Sequence, residues 1–517
     1  MDNSLLAPRL FPRPRRARSA ACLRPAAMPN PRHGTARTPR ASPRPPPSPC
    51  TRFRYDSEMM TNERFDVTCT VVFVASSSPI PPLGAGPFST LSNTGLSSSN
   101  AILSPNVLSM ASRPRMMLPL AKRVNSTGSA NIVKFDQDRA RATRQRSQAS
   151  DATGPAGGSF AVGQAFNDVA ISQAVSYVVE VLVGSTPYSL LVDTGSSNTW
   201  VGAGKPFVPS ASTRPTGDIV SVTYGSGSFT GFEVIENVTL ADGLNLPSQS
   251  IGVAAQAMGF DGVDGILGVG PQDLTCGTLI NNPKKCLSTV TDTAWDLGLL
   301  DSYELGISFS PSQYVDQKNG EMTFGGVDRS KFDGDLSYVP LTTVSPASHF
   351  VGYDQSIRYG DMGSVLDTAA GILDTGTTLI LIASDAFQRY QDFTGAKADD
   401  DTGLLSITQE QYGNLQNLYF KIGDIDYALT PDAQIWPRAL NADIGGAEDG
   451  IYLIVADLQS DSGRGLDFIN GMSFLERYYA VYDIANSRIG LAKTHHTDDE
   501  TNHLVPDGED QDESIPV

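Results

Sequence analysis

Short apolar runs separated by turn-forming residues dominate the chain from about residue 170 to residue 493. Residues 175–193, which read VSYVVEVLVGSTPYSLLVD, are rich in β-branched and aromatic residues, and GSTP interrupts them as a turn would. Helical periodicity is rarer. Its clearest case is SDAFQRYQDFTG, where Ser384 is expected to cap a helix and aromatic residues recur every three positions. The pattern therefore predicts a mostly β body.

The first hundred residues lack this alternation. They are rich in Arg and Pro, as in RASPRPPPSPC, and such a composition cannot form a packed core. We expect residues 1–103 to be a disordered leader or to include a misassigned start, although an Arg-rich run could also bind nucleic acid. The best apolar stretch there, residues 67–75, is only a weak signal-peptide core, and no transmembrane helix is predicted anywhere.

Charge divides the chain of 517 residues into a basic front and an acidic body. Residues 1–167 hold 22 Lys and Arg against 8 Asp and Glu, whereas residues 168–517 hold 16 against 48. A body this acidic is a poor candidate for binding nucleic acid or an anionic membrane, so we expect neither as a partner. A basic segment in front of it could instead bind the body intramolecularly. The acidic residues 494–517 are expected to form a disordered tail.

One motif occurs twice. LLVDTGSSNTWVG and GILDTGTTLILIA are apolar runs that each deliver an Asp into a tight Gly turn, and their aspartates, Asp193 and Asp374, lie 181 residues apart. A single Asp-Thr-Gly is weak evidence, because Asp-x-Gly is ordinary hairpin chemistry. Each copy is followed by a second echo, DGILG at residues 264–268 and DFING at residues 467–471. The simplest interpretation is a duplicated chain with two similar lobes, each bringing one Asp to a shared interface.

Two facing carboxylates perform specific chemistry. At about 3 Å they cannot both ionise easily, so the pair holds one proton, and the titration belongs to the pair rather than to either residue. One member can then act as general base on a water molecule while the other acts as general acid toward a carbonyl oxygen. Such a pair suits attack of water on an amide without a metal, a cofactor or a covalent intermediate.

Five stretches, in this order, resemble the signatures of the pepsin-like aspartic endopeptidases, and more closely those of the secreted polyporopepsin-like enzymes of fungi. They are VDTGSSNTWV, VTYGSGSFTGF, DGILGVGP, GILDTGTTLI and FINGMSFLERYYAVYDIANSRIGLA. The resemblance implies a bilobal pepsin-like fold, with the active-site cleft between β lobes at residues 167–345 and 346–493. It also implies a monomer that hydrolyses extended peptides at acid pH, without a cofactor or metal.

The resemblance assigns roles to single residues. Asp193 and Asp374 would be the catalytic pair. The supporting residues come in three pairs, namely Thr194 and Thr375, which would brace the two loops, Gly195 and Gly376, which would let backbone amides approach, and Ser196 and Thr377, which would hydrogen-bond the carboxylates.

The segment TYGSG is expected to form a lid. Tyr224 would lie near the tip of a β-hairpin flap, Gly225 and Ser226 would contact the bound peptide, and Trp200 would support Tyr224 from below. Core packing is the alternative for both aromatic residues. A non-catalytic binding protein of the same fold is the rival function. Such proteins typically lose an aspartate, a glycine or the flap tyrosine, and this chain has them all.

Residues 116–146 resemble the propeptides of the family, and residues 104–166 are expected to form a basic propeptide that inhibits the enzyme as a zymogen segment. Their LPLAKR, at residues 118–123, looks like the strand that occupies the cleft of zymogens. Lys122 or Arg123 would pair with the two aspartates until acid releases the segment. A solvated linker is the alternative.

Two further features concern the cellular compartment. Cys276 and Cys286, in CGTLINNPKKC, are expected to form a disulfide, with two free thiols as the alternative. Asn237 opens the sequon NVT on an expected turn and is a glycosylation candidate. We expect a secreted protein, with the vacuole as the alternative.

One element departs from the family pattern. Asn470, in Ile469-Asn470-Gly471, stands where an apolar residue is usual. We expect the change to affect local packing rather than activity, because this element is expected to lie away from the two aspartates.

Overall fold

The computed structural model describes residues 116–124, 132–152 and 175–502, apart from residues 226, 242, 315 and 316. The predicted leader, the predicted propeptide apart from the first two ranges, and the chain beyond residue 502 lie outside the described residues. Within the described ranges, no helix is both long enough and apolar enough to cross a membrane.

Strands are the main regular structure of the body, as the alternating pattern predicted. The strands of the first half are β1 (Met116–Val124), β2 (Val175–Val183), β3 (Thr186–Asp193), β4 (Trp200–Val201), β5 (Arg214–Thr223), β6 (Ser228–Thr239), β7 (Asn245–Met258), β8 (Gly265–Gly268), β9 (Glu304–Phe309), β10 (Gln317–Phe324) and β11 (Asp333–Pro340). Those of the second half are β12 (Gly352–Tyr359), β13 (Gly363–Leu373), β14 (Ile380–Ile382), β15 (Lys397–Ala398), β16 (Leu405–Ser406), β17 (Leu418–Ile422), β18 (Ile425–Leu429), β19 (Tyr452–Leu453), β20 (Val455–Asp457), β21 (Phe468–Asn470), β22 (Tyr478–Asp483) and β23 (Arg488–Lys493).

Hydrogen bonding joins these strands, in the described residues, into two large sheets and one small one. A 13-stranded sheet runs in the order β11-β23-β22-β9-β10-β1-β2-β3-β8-β4-β7-β6-β5. A seven-stranded sheet runs β18-β17-β12-β13-β21-β14-β20, and β15-β16-β19 form the third. In the large sheet, β22 and β23 lie between β11 and β9, so the last strands of the chain return to the first half.

The duplication inferred from the sequence is visible in strand pairing. In the first half β3 pairs in parallel with β8, which pairs antiparallel with β4, so that Val192 faces Leu267 and Ile266 faces Trp200. The second half repeats this with β13, β21 and β14, where Leu373 faces Asn470. Each Asp-Thr-Gly loop therefore follows the first strand, β3 or β13, of an equivalent three-stranded arrangement whose central strand is β8 or β21.

The predicted helix at SDAFQRYQDFTG is confirmed as α3. The helices are α1 (Ile132–Ala152), α2 (Val290–Asp296), α3 (Ser384–Thr394), α4 (Gln409–Gly413) and α5 (Met472–Leu475). Ser384 does not cap α3, because Ala383 takes that position and the Ser384 hydroxyl donates to Asp457 at 2.6 Å. Gly395 ends the helix at a φ of 66°, a left-handed conformation that favours glycine.

The predicted location of LPLAKR in the cleft is wrong. The segment belongs to β1, which pairs antiparallel with β10 on one side and β2 on the other, inside the 13-stranded sheet. Leu118 and Leu120 alternate with the exposed Met117 and Pro119 along β1 and are 2% and 0% exposed, so the period-two geometry of the strand directs them into the core.

The body also extends beyond the predicted start of the tail at residue 494. Arg477 donates to the carbonyls of His496 and Asp499 at 3.0 and 2.7 Å. The backbone amides of Thr501 and Asn502 donate to the Asp432 carboxylate at 3.0 and 2.9 Å. These polar contacts hold residues 494–502 against the second half of the chain.

The pKa values of two glutamates on β6 are shifted in opposite directions. Burial raises the pKa of Glu233 to about 8, and a 2.7 Å hydrogen bond from the Ser250 hydroxyl only partly offsets it. Burial also acts against ionisation of Glu236, but hydroxyl donors from Ser212 and Thr213 outweigh it and lower the pKa to about 2. Folding therefore favours a neutral Glu233 and a charged Glu236.

We expect Glu233→Gln to raise the unfolding temperature at about pH 7.5 and to change it little at about pH 3. The stability that neutral Glu233 contributes is complete below its ordinary pKa of 4.5 and is lost as the pH rises toward 8. The loss is at most about 1.4 kcal/mol per pH unit within that window. Thermal unfolding at both pH values measures it. Glu236→Gln is the matched control and should lower the unfolding temperature at pH 7.5. A Glu233→Gln protein no more stable than wild type there would contradict the assignment.

Candidate active site

The two Asp-Thr-Gly loops hold their carboxylates in matching hydrogen-bond patterns. Asp193 ends β3 and Asp374 follows β13, and both are 0% exposed. The Gly195 amide and Ser196 hydroxyl donate to Asp193 at 2.9 and 2.5 Å. In the other loop the Gly376 amide and Thr377 hydroxyl donate to Asp374 at 3.0 and 2.7 Å. Each carboxylate is thus oriented by one backbone amide and one hydroxyl.

Two threonines link the loops directly. The Thr194 amide donates to Thr375 Oγ1 at 2.9 Å, and the Thr375 amide donates to Thr194 Oγ1 at 3.0 Å. Each hydroxyl then donates across to the opposite strand, Thr194 to the Leu373 carbonyl at 3.3 Å and Thr375 to the Val192 carbonyl at 3.0 Å. The four bonds tie the ends of β3 and β13 together with near two-fold symmetry.

Both carboxylates share one guanidinium. Arg139 Nη2 lies 2.5 Å from Asp193 Oδ1 and 2.8 Å from Asp374 Oδ1, and its Nε donates to Asp374 Oδ2 at 2.7 Å. A Cβ on Gly195 would lie 2.6 Å from both Arg139 Nη2 and Asp374 Oδ1. Only glycine therefore allows the two carboxylates and the cation to approach this closely.

The predicted pairing of Lys122 or Arg123 with the aspartates is wrong. The Lys122 ammonium donates to Glu476 at 2.6 Å, and the Arg123 guanidinium donates to the Gly262 carbonyl at 2.9 Å. Both residues lie on β1, away from the loops. Arg139, on helix α1, was missed. Its signal is the run FDQDRARATRQR, which has no Pro or Gly and places Asp136, Arg139, Thr143 and Arg146 on one helical face.

Helix α1 fills the space between the flap and the second half of the chain. The Gln137 amide donates to the Asp457 carbonyl at 2.9 Å, and Arg144 donates to the Leu458 carbonyl at 3.3 Å. On the opposite side, a Cβ on Gly225 would lie 2.8 Å from the Arg139 backbone nitrogen. The helix therefore touches the flap, both aspartates and the Asp457–Leu458 segment together.

Two carboxyl groups at this contact have pKa shifts of opposite sign. Burial disfavours charge on Asp374, but Arg139 and the donors Thr377 and Gly376 outweigh it, so the pKa of Asp374 is lowered. For Asp136, burial wins over backbone hydrogen bonds from Leu379 and Thr378, and its pKa rises to about 7. The docked helix therefore favours a charged Asp374 and a neutral Asp136.

The flap is the hairpin of β5 and β6. Thr223 faces Ser228 across it, and the Tyr224 amide donates to the Gly227 carbonyl at 2.7 Å. Tyr224 is 2% exposed, and Trp200 Nε1 donates to its hydroxyl at 3.0 Å, so the indole does lie against the tyrosine. Gly225 adopts a φ of +93°, which a tight hairpin end requires. Ser226 lies outside the described residues.

The remaining candidates occupy separate places. Cys276 and Cys286 are joined in a disulfide. Asn237 is exposed, but it lies on β6 at a shift of register between Glu236 and Val238 rather than on the expected turn. The Asn470 carbonyl accepts the Asp374 amide at 3.1 Å. The expectation that Asn470 lies away from the aspartates is therefore wrong.

Comparison with known proteins now agrees with this geometry. A model of the eukaryotic aspartyl protease family matches residues 176–494. The chain belongs to this family. Polyporopepsin from Irpex lacteus is 57% identical over 330 residues, which span 63% of this chain and 97% of that protein. Gastricsin from Callithrix jacchus is 29% identical over 336 residues, spanning 61% of this chain and 81% of that protein.

A solved structure agrees as well. The crystal structure of an aspartic proteinase from Irpex lacteus matches with a TM-score of 0.62 and 56% identity, covering 63% of this chain and 96% of that one. The predicted mostly β, bilobal pepsin-like fold is confirmed. The chain is an aspartic endopeptidase, as its sequence predicted.

We expect Thr375→Val to destabilise the protease by about 1–3 kcal/mol, because it leaves the buried Thr194 amide without an acceptor. Chemical unfolding measures the change. Thr375→Ser is the matched control, since it keeps the hydroxyl, and should remain close to wild type. Equal stability of the Val and Ser variants would show that the brace contributes nothing.

Proposed function

We propose that this protease acts at acid pH through a dyad of Asp193 and Asp374, and that it is made as a zymogen held inactive by residues 116–152. The observation that carries the proposal is the shared Arg139 guanidinium. One cation within hydrogen-bond distance of both carboxylates means that the two groups converge on a single point. Convergent carboxylates at a buried point are the requirement for sharing a proton.

Peptide hydrolysis becomes possible once helix α1, which carries Arg139, has left the two aspartates. The two carboxyl groups, no longer neutralised, retain one proton between them. The ionised member takes a proton from a water molecule as that water attacks the scissile carbonyl carbon, and the protonated member donates to the carbonyl oxygen. Ser196 and Thr377 keep each carboxylate oriented through their hydroxyl donors.

The flap supplies the lid over a peptide substrate. An extended peptide would occupy the space that α1 now fills and would form main-chain hydrogen bonds in it. Closure of the Tyr224 hairpin, supported by Trp200, would exclude water and fix the scissile bond above the dyad. The substrate is therefore a protein or peptide in extended form, and the catalytic unit is a monomer that needs no cofactor.

The compartment is part of the proposal. A disulfide between Cys276 and Cys286 is favoured in oxidising surroundings, which supports secretion, with the vacuole as the alternative. The exposed Asn237 of the NVT sequon would then carry an N-glycan.

Acid treatment should convert the zymogen into an active protease. Cleavage of denatured haemoglobin is measured from about pH 2.5 to 7 on protein that has been pre-incubated in acid. We expect the rate to be highest at the acid end of this range and to be blocked by pepstatin. Asp193→Asn and Asp374→Asn should each lower kcat by about 10²–10⁴-fold, because each removes one proton-transfer group. Unfolding temperatures near wild type serve as the folding control. Full activity in either variant, or none in folded and processed wild type, would reject the dyad.

Arg139→Gln should allow activation at a higher pH than the wild-type protein requires. The attraction between Arg139 and Asp374 is present above the ordinary carboxyl pKa of 3.8 and is lost as pH falls through the lowered value. Without the cation, the docked helix would place two buried carboxylates together unneutralised. We therefore expect processing and peptide cleavage at about pH 5–6, where wild type stays latent.

Two variants control this experiment. Arg139→Lys keeps the charge and should retain latency. Asp136→Asn removes a group whose raised pKa opposes docking as the pH rises toward 7, so it should strengthen latency near neutral pH. Latency of Arg139→Gln equal to that of wild type would show that this ion pair does not hold the zymogen.

A further inference from the structure

A buried polar network lies directly behind the Asp374 loop. The Asn470 side-chain amide donates to Tyr353 Oη at 2.6 Å and to Gln355 Oε1 at 2.9 Å. The three residues are 0%, 0% and 1% exposed for Asn470, Tyr353 and Gln355. Tyr353 and Gln355 lie on β12, and Asn470 lies on β21, with β13 between the two strands. The network therefore crosses the strand that leads into Asp374.

The first half of the chain has no such network at the equivalent positions. Tyr353 faces Gly371, three residues before Asp374, just as Val179 faces Leu190, three residues before Asp193. By the same count Gln355 corresponds to Val181, and Asn470 corresponds to Leu267. Val179, Val181 and Leu267 are all buried. Apolar residues thus suffice for the fold at these three positions, and the polar set is a feature of the second half alone.

The backbone around Asn470 holds the whole loop from behind. The Asn470 carbonyl accepts the Asp374 amide at 3.1 Å. The next two amides, of Gly471 and Met472, donate to the carbonyls of Leu379 and Thr377 at 3.2 and 2.8 Å. Any movement of residues 470–472 would move both ends of the loop that carries the Asp374 carboxylate.

We propose that Tyr353, Gln355 and Asn470 are positioning residues that fix Asp374 relative to Asp193. Hydrogen bonds are directional, whereas packing of a leucine is not, so the amide network specifies one position of β21 against β12. That position sets where the Asp374 amide and carboxylate lie, and hence the coupling within the dyad. The inference rests on the proposed dyad.

Three variants test the network after acid activation of the full chain. Asn470→Leu copies the first half but leaves the Tyr353 and Gln355 side chains unpaired. Tyr353→Phe removes one hydroxyl and is the mildest change. The combined Tyr353→Phe/Gln355→Met/Asn470→Leu variant removes every polar partner while keeping similar volumes, so it should regain the stability that Asn470→Leu loses.

Kinetics separate positioning from stability. We expect Asn470→Leu to lower kcat about tenfold with KM changed less than about twofold, and to shift the acid limb of the pH–rate profile. The combined variant should unfold near the wild-type temperature and still show the lowered kcat and shifted limb. Tyr353→Phe should show a smaller loss of the same kind.

A matched control lies in the same half of the chain. Tyr390 is fully buried and its hydroxyl donates to Gln434 at 3.0 Å, without contact to either Asp loop. Tyr390→Phe should lower the unfolding temperature and leave kcat and the pH profile unchanged.

The outcomes are distinct. Recovery of kcat together with stability in the combined variant would overturn the proposal, as would a wild-type pH profile in all three variants. If Asn470→Leu does not fold, the combined variant and Tyr353→Phe decide by the same criteria. Inactive processed wild type would reject the proposed dyad and this inference with it, whereas active wild type with unchanged variants would reject the inference alone.

Discussion

Two like charges buried at one point govern the structure around them. Asp193 and Asp374 are both fully buried in this structure, so solvent does not hydrate either carboxylate. The structure therefore surrounds each with donors and places Arg139 between them. Removing charge from water is costly, and a paired, hydrogen-bonded cation offsets that cost. The glycines beside the carboxylates, the threonine brace and the flap are all arranged around this requirement.

The same electrostatics explains why the docked helix is sensitive to pH in more than one direction. Asp374 and the ion pair of Lys122 with Glu476 hold the basic segment through charge, whereas Asp136 enters the cleft most easily when neutral. The attraction between Arg139 and Asp374 weakens as the pH falls through the lowered pKa of Asp374, whereas ionisation of Asp136 opposes docking as the pH rises toward 7. The balance depends on several groups with different surroundings.

Much of the fold and site was predictable, because the decisive signals are local. The repeated Asp-Thr-Gly run located both aspartates, and alternation of apolar residues predicted the strands that carry them. Arg139 was missed because seven positions between residues 116 and 152 carry Lys or Arg, and only the docked geometry shows which one reaches the cleft. Asn470 and the segment at residues 494–502 were misjudged for the same reason, since their partners Asp374 and Asp432 are distant in sequence.

The position of β1 affects whether the processed protease could refold after it has unfolded. This strand is paired on both sides in the interior of the largest sheet, between β10 and β2. A chain cut free of residues 116–152 would lack a strand and a helix that were present when the rest assembled. Its two exposed strand edges would favour association over correct closure. The lifetime of the cleaved protease would then be set by how slowly it opens, not by an equilibrium to which it returns.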